Sequence, residues 1–197
     1  MLEVELKSVV DDIPRRRALV ERAGGTLAWA GRLLDRRYDT PEHSLAHRDH
    51  VLRLRVYQNG PDSRAELDWK GPTGHSDGYK VREELGVHVT EASVLADLLA
   101  RLGYVVTVEI DREIAQYELG GATVRFERYP RLDDLVEVEG TPEQIERAIV
   151  ALGMPREGFT SERLPDFVRR YEARTGARAA LCQSELDGER HYDPANA

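Results

Sequence analysis

The chain has one cysteine, Cys182, among its 197 residues. No disulfide can therefore close within it, and a reducing compartment is expected. No apolar run reaches the length that spans a bilayer. The opening residues carry Glu3 and Glu5 where a secretory signal has a basic region. The expectation is a cytoplasmic protein with no membrane partner. An excess of basic residues is also missing: 28 Lys and Arg stand against 36 Asp and Glu, for a net charge of -8. That balance argues against general nucleic-acid binding, which needs a net basic surface, but leaves room for an internal basic site. The six histidines (His43, His47, His50, His75, His88 and His191) show no spacing suited to zinc. What the chain does have is charge, at 32% of residues, beside enough apolar residues, 41%, to build a core.

Periodicity predicts many strands and few helices. Residues 2–10 read as a strand. Asp11 or Asp12 then caps a helix that has Pro14 in its first turn and stops at Gly24-Gly25. Strands follow over 33–39, 50–58, 64–70 and 79–89, with loops at 59–63 and 71–78. A second helix from Thr90 to Gly103 carries Val94, Leu95, Leu98, Leu99 and Leu102 on one side. Residues 104–119 and 122–129 form a hairpin turning at Gly120-Gly121, and 134–139 is the last strand. Thr141, Pro142 and Gln144 open a third helix with a capping box, and 163–174 is a fourth. Strands without regular helix alternation point to an antiparallel α+β domain over 1–175. Residues 176–197 show little periodicity and are expected as a flexible tail.

Strand parity then sorts the charges. Side chains of a strand alternate between two faces. Glu3, Glu5 and Lys7 share one face, and Leu2, Val4 and Leu6 the other. Arg53 and Arg55 repeat the pattern, followed by Glu66, Asp68 and Lys70, then Lys80, Arg82 and Glu84. Arg125 with Glu127, and Glu137 with Glu139, complete the set. A sheet with one wet face presents charges too. These stripes, however, are almost purely ionisable, and arginine, suited to bidentate phosphate contacts, outnumbers lysine on them. Amphipathic helices are available to cover the apolar parity, so a sheet that curls closed would enclose the charges in a lumen. A triphosphate, carrying about four negative charges, is matched by several Arg and Lys residues. Glu3, Glu5, Glu137 and Glu139 offer the oxygen ligands that a hard cation such as Mg²⁺ takes.

The ordered motifs are Glu3-x-Glu5-x-Lys7, YDTPEHSL (38–45), LRLR (52–55), LDWKGP (67–72), KVREE (80–84) and LVEVEG (135–140). Together, over roughly residues 1–171, they resemble the CYTH superfamily, the triphosphate tunnel metalloenzymes. The resemblance implies an eight-stranded antiparallel closed β-tunnel with a charged lumen and helices packed outside. It implies Mg²⁺ or Mn²⁺ as cofactor, held by Glu3, Glu5, Glu137 and Glu139, with Glu127 standing where many members have Asp. It implies triphosphate binding by Lys7, Arg53, Arg55, Lys70, Lys80, Arg82, Arg112 and Arg125. Glu84, with Lys7 and Arg55, takes the catalytic part. Many cyclase-like members have Lys at the position of Ile110, which weakens the nucleotide-specific reading more than the triphosphate reading.

The function expected is therefore a metal-dependent triphosphatase acting on inorganic, thiamine or nucleoside triphosphate, a small-molecule partner. The alternative is a class IV adenylate cyclase making cyclic AMP and pyrophosphate from ATP. A polyphosphate-binding module without catalysis is third, and the intact acid set argues against it. The oligomeric state is left as monomer or homodimer.

Overall fold

Alternating strands with one apolar and one ionisable face cannot leave both faces in water, and this chain closes its sheet around the ionisable one. The computed structural model describes residues 2–76 and 78–193, without the side chains of residues 2 and 3. The strands are β1 (Leu2–Val9), β2 (Thr26–Asp39), β3 (Val51–Asn59), β4 (Asp62–Lys70), β5 (Gly74–Ser76), β6 (Tyr79–Val89), β7 (Val105–Leu119), β8 (Ala122–Arg128) and β9 (Leu135–Glu139). They pair in the order β1-β9-β8-β7-β2-β3-β4-β6, and β1 also pairs with β6, which closes an eight-stranded barrel. Every pairing is antiparallel. Closure removes the open edges that a flat sheet would expose. The short β5 pairs with β6 beyond the end of β4, inside a stretch expected as loop.

Among the described residues five helices, α1 (Ile13–Arg22), α2 (Ala92–Arg101), α3 (Pro142–Leu152), α4 (Leu164–Thr175) and α5 (Gln183–Leu186), pack outside the barrel. Thr141 Oγ1 accepts from the Gln144 N–H and the Gln144 side chain accepts from the Thr141 N–H, so α3 begins on the expected capping box. Its Ile145, Ala148, Ile149 and Leu152 bury against Leu6, Val124, Phe126, Val136 and Val138 of the barrel wall. Val20 of α1 joins the same core. Helix α4 packs Leu164, Phe167 and Val168 against Val108, Ile110, Tyr129 and Leu135 at one end of the barrel.

Three features depart from the sequence reading. Strand β2 starts at Thr26, seven residues before the expected 33. Its first half pairs with β7 through a bulge between Leu27 and Trp29, which destroys the simple alternation that parity requires. The apolar stripe of α2 is wider than the wall it covers: Leu99 is 6% exposed, whereas Val94, Leu98 and Leu102 are 62%, 52% and 66% exposed. Residues 179–182, placed in the expected tail, are buried. The Asp111 N–H donates to the Leu181 carbonyl at 2.8 Å, and Ala180 and Arg131 exchange backbone hydrogen bonds at 2.8 and 3.1 Å. Docking through backbone groups leaves no side-chain period to read. Residues 194–197 of that segment lie outside the described residues.

The two sides of α2 give a direct test of the packing. Leu99→Ala should lower the unfolding free energy by about 2–5 kcal/mol, the range for a buried leucine. Leu102→Ala should change it by less than about 0.5 kcal/mol. Equal losses in urea denaturation would refute this placement of the helix.

Candidate active site

The lumen holds a cavity of about 140 Å³. Its walls come from the inward parity of the strands: Glu5 and Lys7 of β1, Arg53 and Arg55 of β3, Lys70 of β4, Lys80 and Arg82 of β6, Arg112 of β7, Arg125 and Glu127 of β8, and Glu137 of β9. Strand β2 adds Asp35, Arg37 and Asp39. At the mouth stand Asp49, His50, Val51 and Leu52, with Arg163 and Leu164 at the start of α4. Among the described residues ten basic and six acidic side chains line the cavity, and Asp68 and Glu84 pair with the lining bases Arg53 and Lys70, so bases exceed acids by two in a chain whose net charge is -8.

The acids distribute the bases around the wall. Asp35, 1% exposed, lies at the centre of three arginines. Its Oδ2 accepts from Arg112 Nη1 at 3.0 Å, Arg53 Nη1 lies 3.7 Å away, and Arg55 Nε is 3.5 Å from Oδ1. Arg53 also donates to Asp68 at 3.1 Å. Glu127 takes Arg112 Nε at 3.1 Å on one oxygen and the Tyr129 hydroxyl at 2.6 Å on the other. Glu137 bridges Lys7 at 2.7 Å and Arg125 at 2.8 Å. Lys80 pairs with Glu5, and Lys70 with Glu84. At the rim Arg82 donates to the carbonyls of Gly71 and Asp49, each at 2.7 Å.

Burial alone would penalise all of these charges, and their partners decide the outcome. Burial pushes the Asp35 carboxyl up, but Arg112, Arg53 and Arg55 overcome it and hold it below the usual carboxylate range. Glu137 is likewise held well below its ordinary value by Lys7 and Arg125 against burial. Burial lowers the Lys7 ammonium, and Glu137, Glu127 and Glu5 more than reverse that. Arg37 goes the other way. Burial, then the charge of Arg53, presses it down to about 9 although Asp35 opposes them, so it stays charged at neutral pH in a basic neighbourhood. Arg55 Nε is buried between two carboxylates, 3.5 Å from Asp35 Oδ1 and 3.3 Å from Asp68 Oδ2, within ion-pair distance of both but out of line for a hydrogen bond.

The register brings three of the expected metal ligands, Glu5, Glu137 and Glu139, to neighbouring positions on β1 and β9. Glu5 stands opposite Glu139, and Lys7 opposite Glu137, across β1 and β9. Directly opposed like charges destabilise a strand pair unless a cation compensates them. Among the described residues no three acidic, histidine or cysteine side chains form a ready-made cation cage, since the carboxylates are engaged with bases. The Glu3 side chain lies outside the described residues. Glu127, expected beside the metal, is committed to Arg112 and Tyr129.

Several residues were missed by the sequence reading. Asp35, Arg37 and Asp39 share the period of two seen on the other strands, and the parity of 33–39 would have found them. Asp68 was read as part of a stripe without a task. Tyr129 and Asp49 follow strand or loop geometry and left no such signal. Arg163, at the start of α4, lines the mouth.

A family model, the CYTH domain, matches residues 1–150. No curated protein matches the chain. Among solved structures, a candidate adenylate cyclase from Vibrio parahaemolyticus is 17% identical with a TM-score of 0.73, covering 86% of this chain and 98% of its own. The PH1819 protein from Pyrococcus horikoshii is 22% identical with a TM-score of 0.69, over 82% of this chain and 94% of its own. A candidate adenylyl cyclase from Hippeastrum, described as having a dominant triphosphatase activity, is 17% identical with a TM-score of 0.60, over 91% and 98%. At these identities the likeness is one of fold.

The buried carboxylates predict how stability depends on pH. A carboxylate with a lowered folded pKa stabilises the fold above its ordinary pKa, and that gain is lost as pH falls through the folded value. The ordinary values are 3.8 for Asp35 and 4.5 for Glu127 and Glu137, all three lowered in the fold. Urea denaturation should find this contribution intact above about pH 5 and declining below about pH 4. Asp35→Asn, which strands three buried arginines, should cost about 3–5 kcal/mol at neutral pH. A variant as stable as the parent chain would remove Asp35 from the centre of the network.

Proposed function

The chain belongs to the CYTH domain family, and from that premise we propose that it is a divalent-metal-dependent triphosphatase. The observation that carries this reading is an enclosed cavity lined by ten basic side chains that the buried acids space around its wall. These bases suit the phosphate oxygens of a triphosphate, which brings about four negative charges, with a bound divalent cation to offset the remainder.

Hydrolysis of a terminal phosphoryl group needs little covalent help from the protein. Water oxygen bonds to the terminal phosphorus, the bond to the bridging oxygen breaks, and the shortened phosphate leaves while the water proton passes to solvent. Positioning and charge neutralisation carry the rate. In this reading Arg53, Arg55 and Arg112, spaced by Asp35, hold the phosphate oxygens on one wall. Lys7 and Arg125, spaced by Glu137, hold them on the other, and Lys70, Lys80 and Arg82 extend the path. Lys7 and Arg55 touch the reacting group. Glu84 acts through Lys70, which it orients, and Tyr129 with Glu127 orients Arg112.

The donor chemistry fits a hard cation. Glu5, Glu137 and Glu139 supply only oxygen ligands, and the opposition of Glu5 to Glu139 is relieved by positive charge between them. Mg²⁺ or Mn²⁺ held there supplies charge neutralisation at the phosphate oxygens. Ile110 supports hydrolysis over cyclisation: it lines the cavity as an apolar residue and packs with the α4 cluster, so no base stands at that point.

Purified protein is to be incubated with inorganic triphosphate, thiamine triphosphate and ATP, with Mg²⁺, Mn²⁺ or chelator. Free phosphate, pyrophosphate and cyclic AMP are followed together. Metal-dependent phosphate without cyclic AMP is expected. Equimolar cyclic AMP and pyrophosphate from ATP would make the chain a cyclase, and metal-independent binding without product would make it a binding module. Glu5→Gln and Glu139→Gln should each abolish turnover while leaving the fold intact by circular dichroism. Arg55→Ala should weaken triphosphate binding by about 1.5–3 kcal/mol, the loss of a charged hydrogen bond.

A further inference from the structure

On β2, β3 and β7 the lumen loses its charge toward one end, while β4 keeps Glu66 and Arg64 there, paired at 2.8 Å with Arg64 lying 4.0 Å over the Tyr57 ring. Beyond Asp35, Arg55 and Arg112, the next inward residues on the same strands are Leu33, Tyr57 and Ile114, at 0%, 6% and 4% exposure. They form a separate apolar cluster with Trp29. Trp29 meets Tyr57 edge to face, with ring centroids 5.4 Å apart. The Trp29 ring lies over Gly31: a Cβ at that position would come within 2.9 Å of it and 2.3 Å of the Gln58 carbonyl oxygen. Glycine at 31 is thus what lets the indole fold across this end of the barrel. On the opposite wall Arg125 spans from Gln116, at 3.3 and 3.2 Å, to Glu137 at 2.8 Å. None of the four apolar residues lines the cavity, which stops at the arginine layer above them.

We infer that the barrel is blind at this end, so that a polyphosphate enters and leaves by the Asp49–Arg163 mouth alone and is cut at a bond counted from its buried terminus. This rests on the triphosphatase reading and adds a rule to it. A phosphate terminus comes to rest against the Arg55–Arg112–Arg125 layer, and any longer chain projects outward through the mouth. A chain cannot be threaded through and cut in its middle. Burying ionised phosphate among Leu33, Ile114 and Trp29 would strip its water without a compensating partner, so the apolar floor blocks passage by desolvation as well as by volume.

Linear tetraphosphate separates the cases. The terminal bond gives triphosphate and phosphate, whereas the central bond gives two pyrophosphates. In the presence of Mg²⁺ or Mn²⁺, the first products are expected to be triphosphate and phosphate, with pyrophosphate at least tenfold lower. Arg55 touches the reacting group and belongs to the layer that stops the terminus, so the bond cut is the first from the buried end, and pyrophosphate as the main first product would overturn the blind floor while leaving the triphosphatase standing. Refusal of the tetraphosphate by an enzyme that hydrolyses triphosphate would do the same, because a chain anchored by its end has its other end free at the mouth. Inertness toward both substrates would remove the function itself and this inference with it. The Trp29→Ala, Ile114→Ala double variant should open the floor and raise the pyrophosphate share at least tenfold. A folded double variant with an unchanged product ratio would take the floor away from these residues. If that variant does not fold, the product ratio of the parent chain decides alone.

Discussion

The structure turns on one contact: a carboxylate removed from water, Asp35, set among three guanidinium groups. Charges taken out of water are expensive, and only close opposite charges make their burial tolerable. Every strand around the barrel obeys this condition. Glu137 stands between Lys7 and Arg125, Glu127 between Arg112 and Tyr129, and Asp68 beside Arg53. The acids are therefore structural in the first place. They keep the bases apart, pointed inward and extended, so that the wall is arranged before any ligand arrives.

The pairing is incomplete, and the incompleteness gives the site its chemistry. Bases still outnumber acids by two when Asp68 and Glu84 are counted with the lining residues, and Arg37 is pressed below its ordinary value by burial and by Arg53. A polyanion supplies the missing charge. The same low-dielectric enclosure that makes this excess costly makes its interaction with an anion strong. Stability and binding are thus coupled through one set of side chains, and the apolar floor confines that coupling to one end of the lumen.

Much of this was legible in the chain because a strand writes its two faces in alternation. Arg53 and Arg55, Lys80 and Arg82, and Glu137 and Glu139 announced an ionisable face, and the family resemblance of their order gave the closed eight-stranded barrel. The capping box at Thr141 and the glycines at 120, 121 and 153 marked turns and ends by local chemistry alone. Legibility failed where alternation did. The bulge near Trp29 hid the first half of β2, and backbone pairing gave residues 179–182 no side-chain pattern. The apolar side of α2 showed in the sequence, but a helical stripe does not reveal how wide a wall it meets, and Val94, Leu98 and Leu102 stay exposed.

The sequence by itself determined which residues face inward, since side-chain parity is a local property of an extended chain. It determined that the lumen would hold both signs of charge and that helices would cover the outside. Which acid meets which base was decided only by tertiary structure, because partners such as Asp35 and Arg112 are 77 positions apart in the chain and meet through the register of β2 and β7. The opposition of Glu5 to Glu139 has the same origin in β1 and β9. So has the floor: Leu33, Tyr57 and Ile114 are unremarkable in three separate strands, and only the curvature and stagger of a closed barrel bring them to one level beneath the arginines.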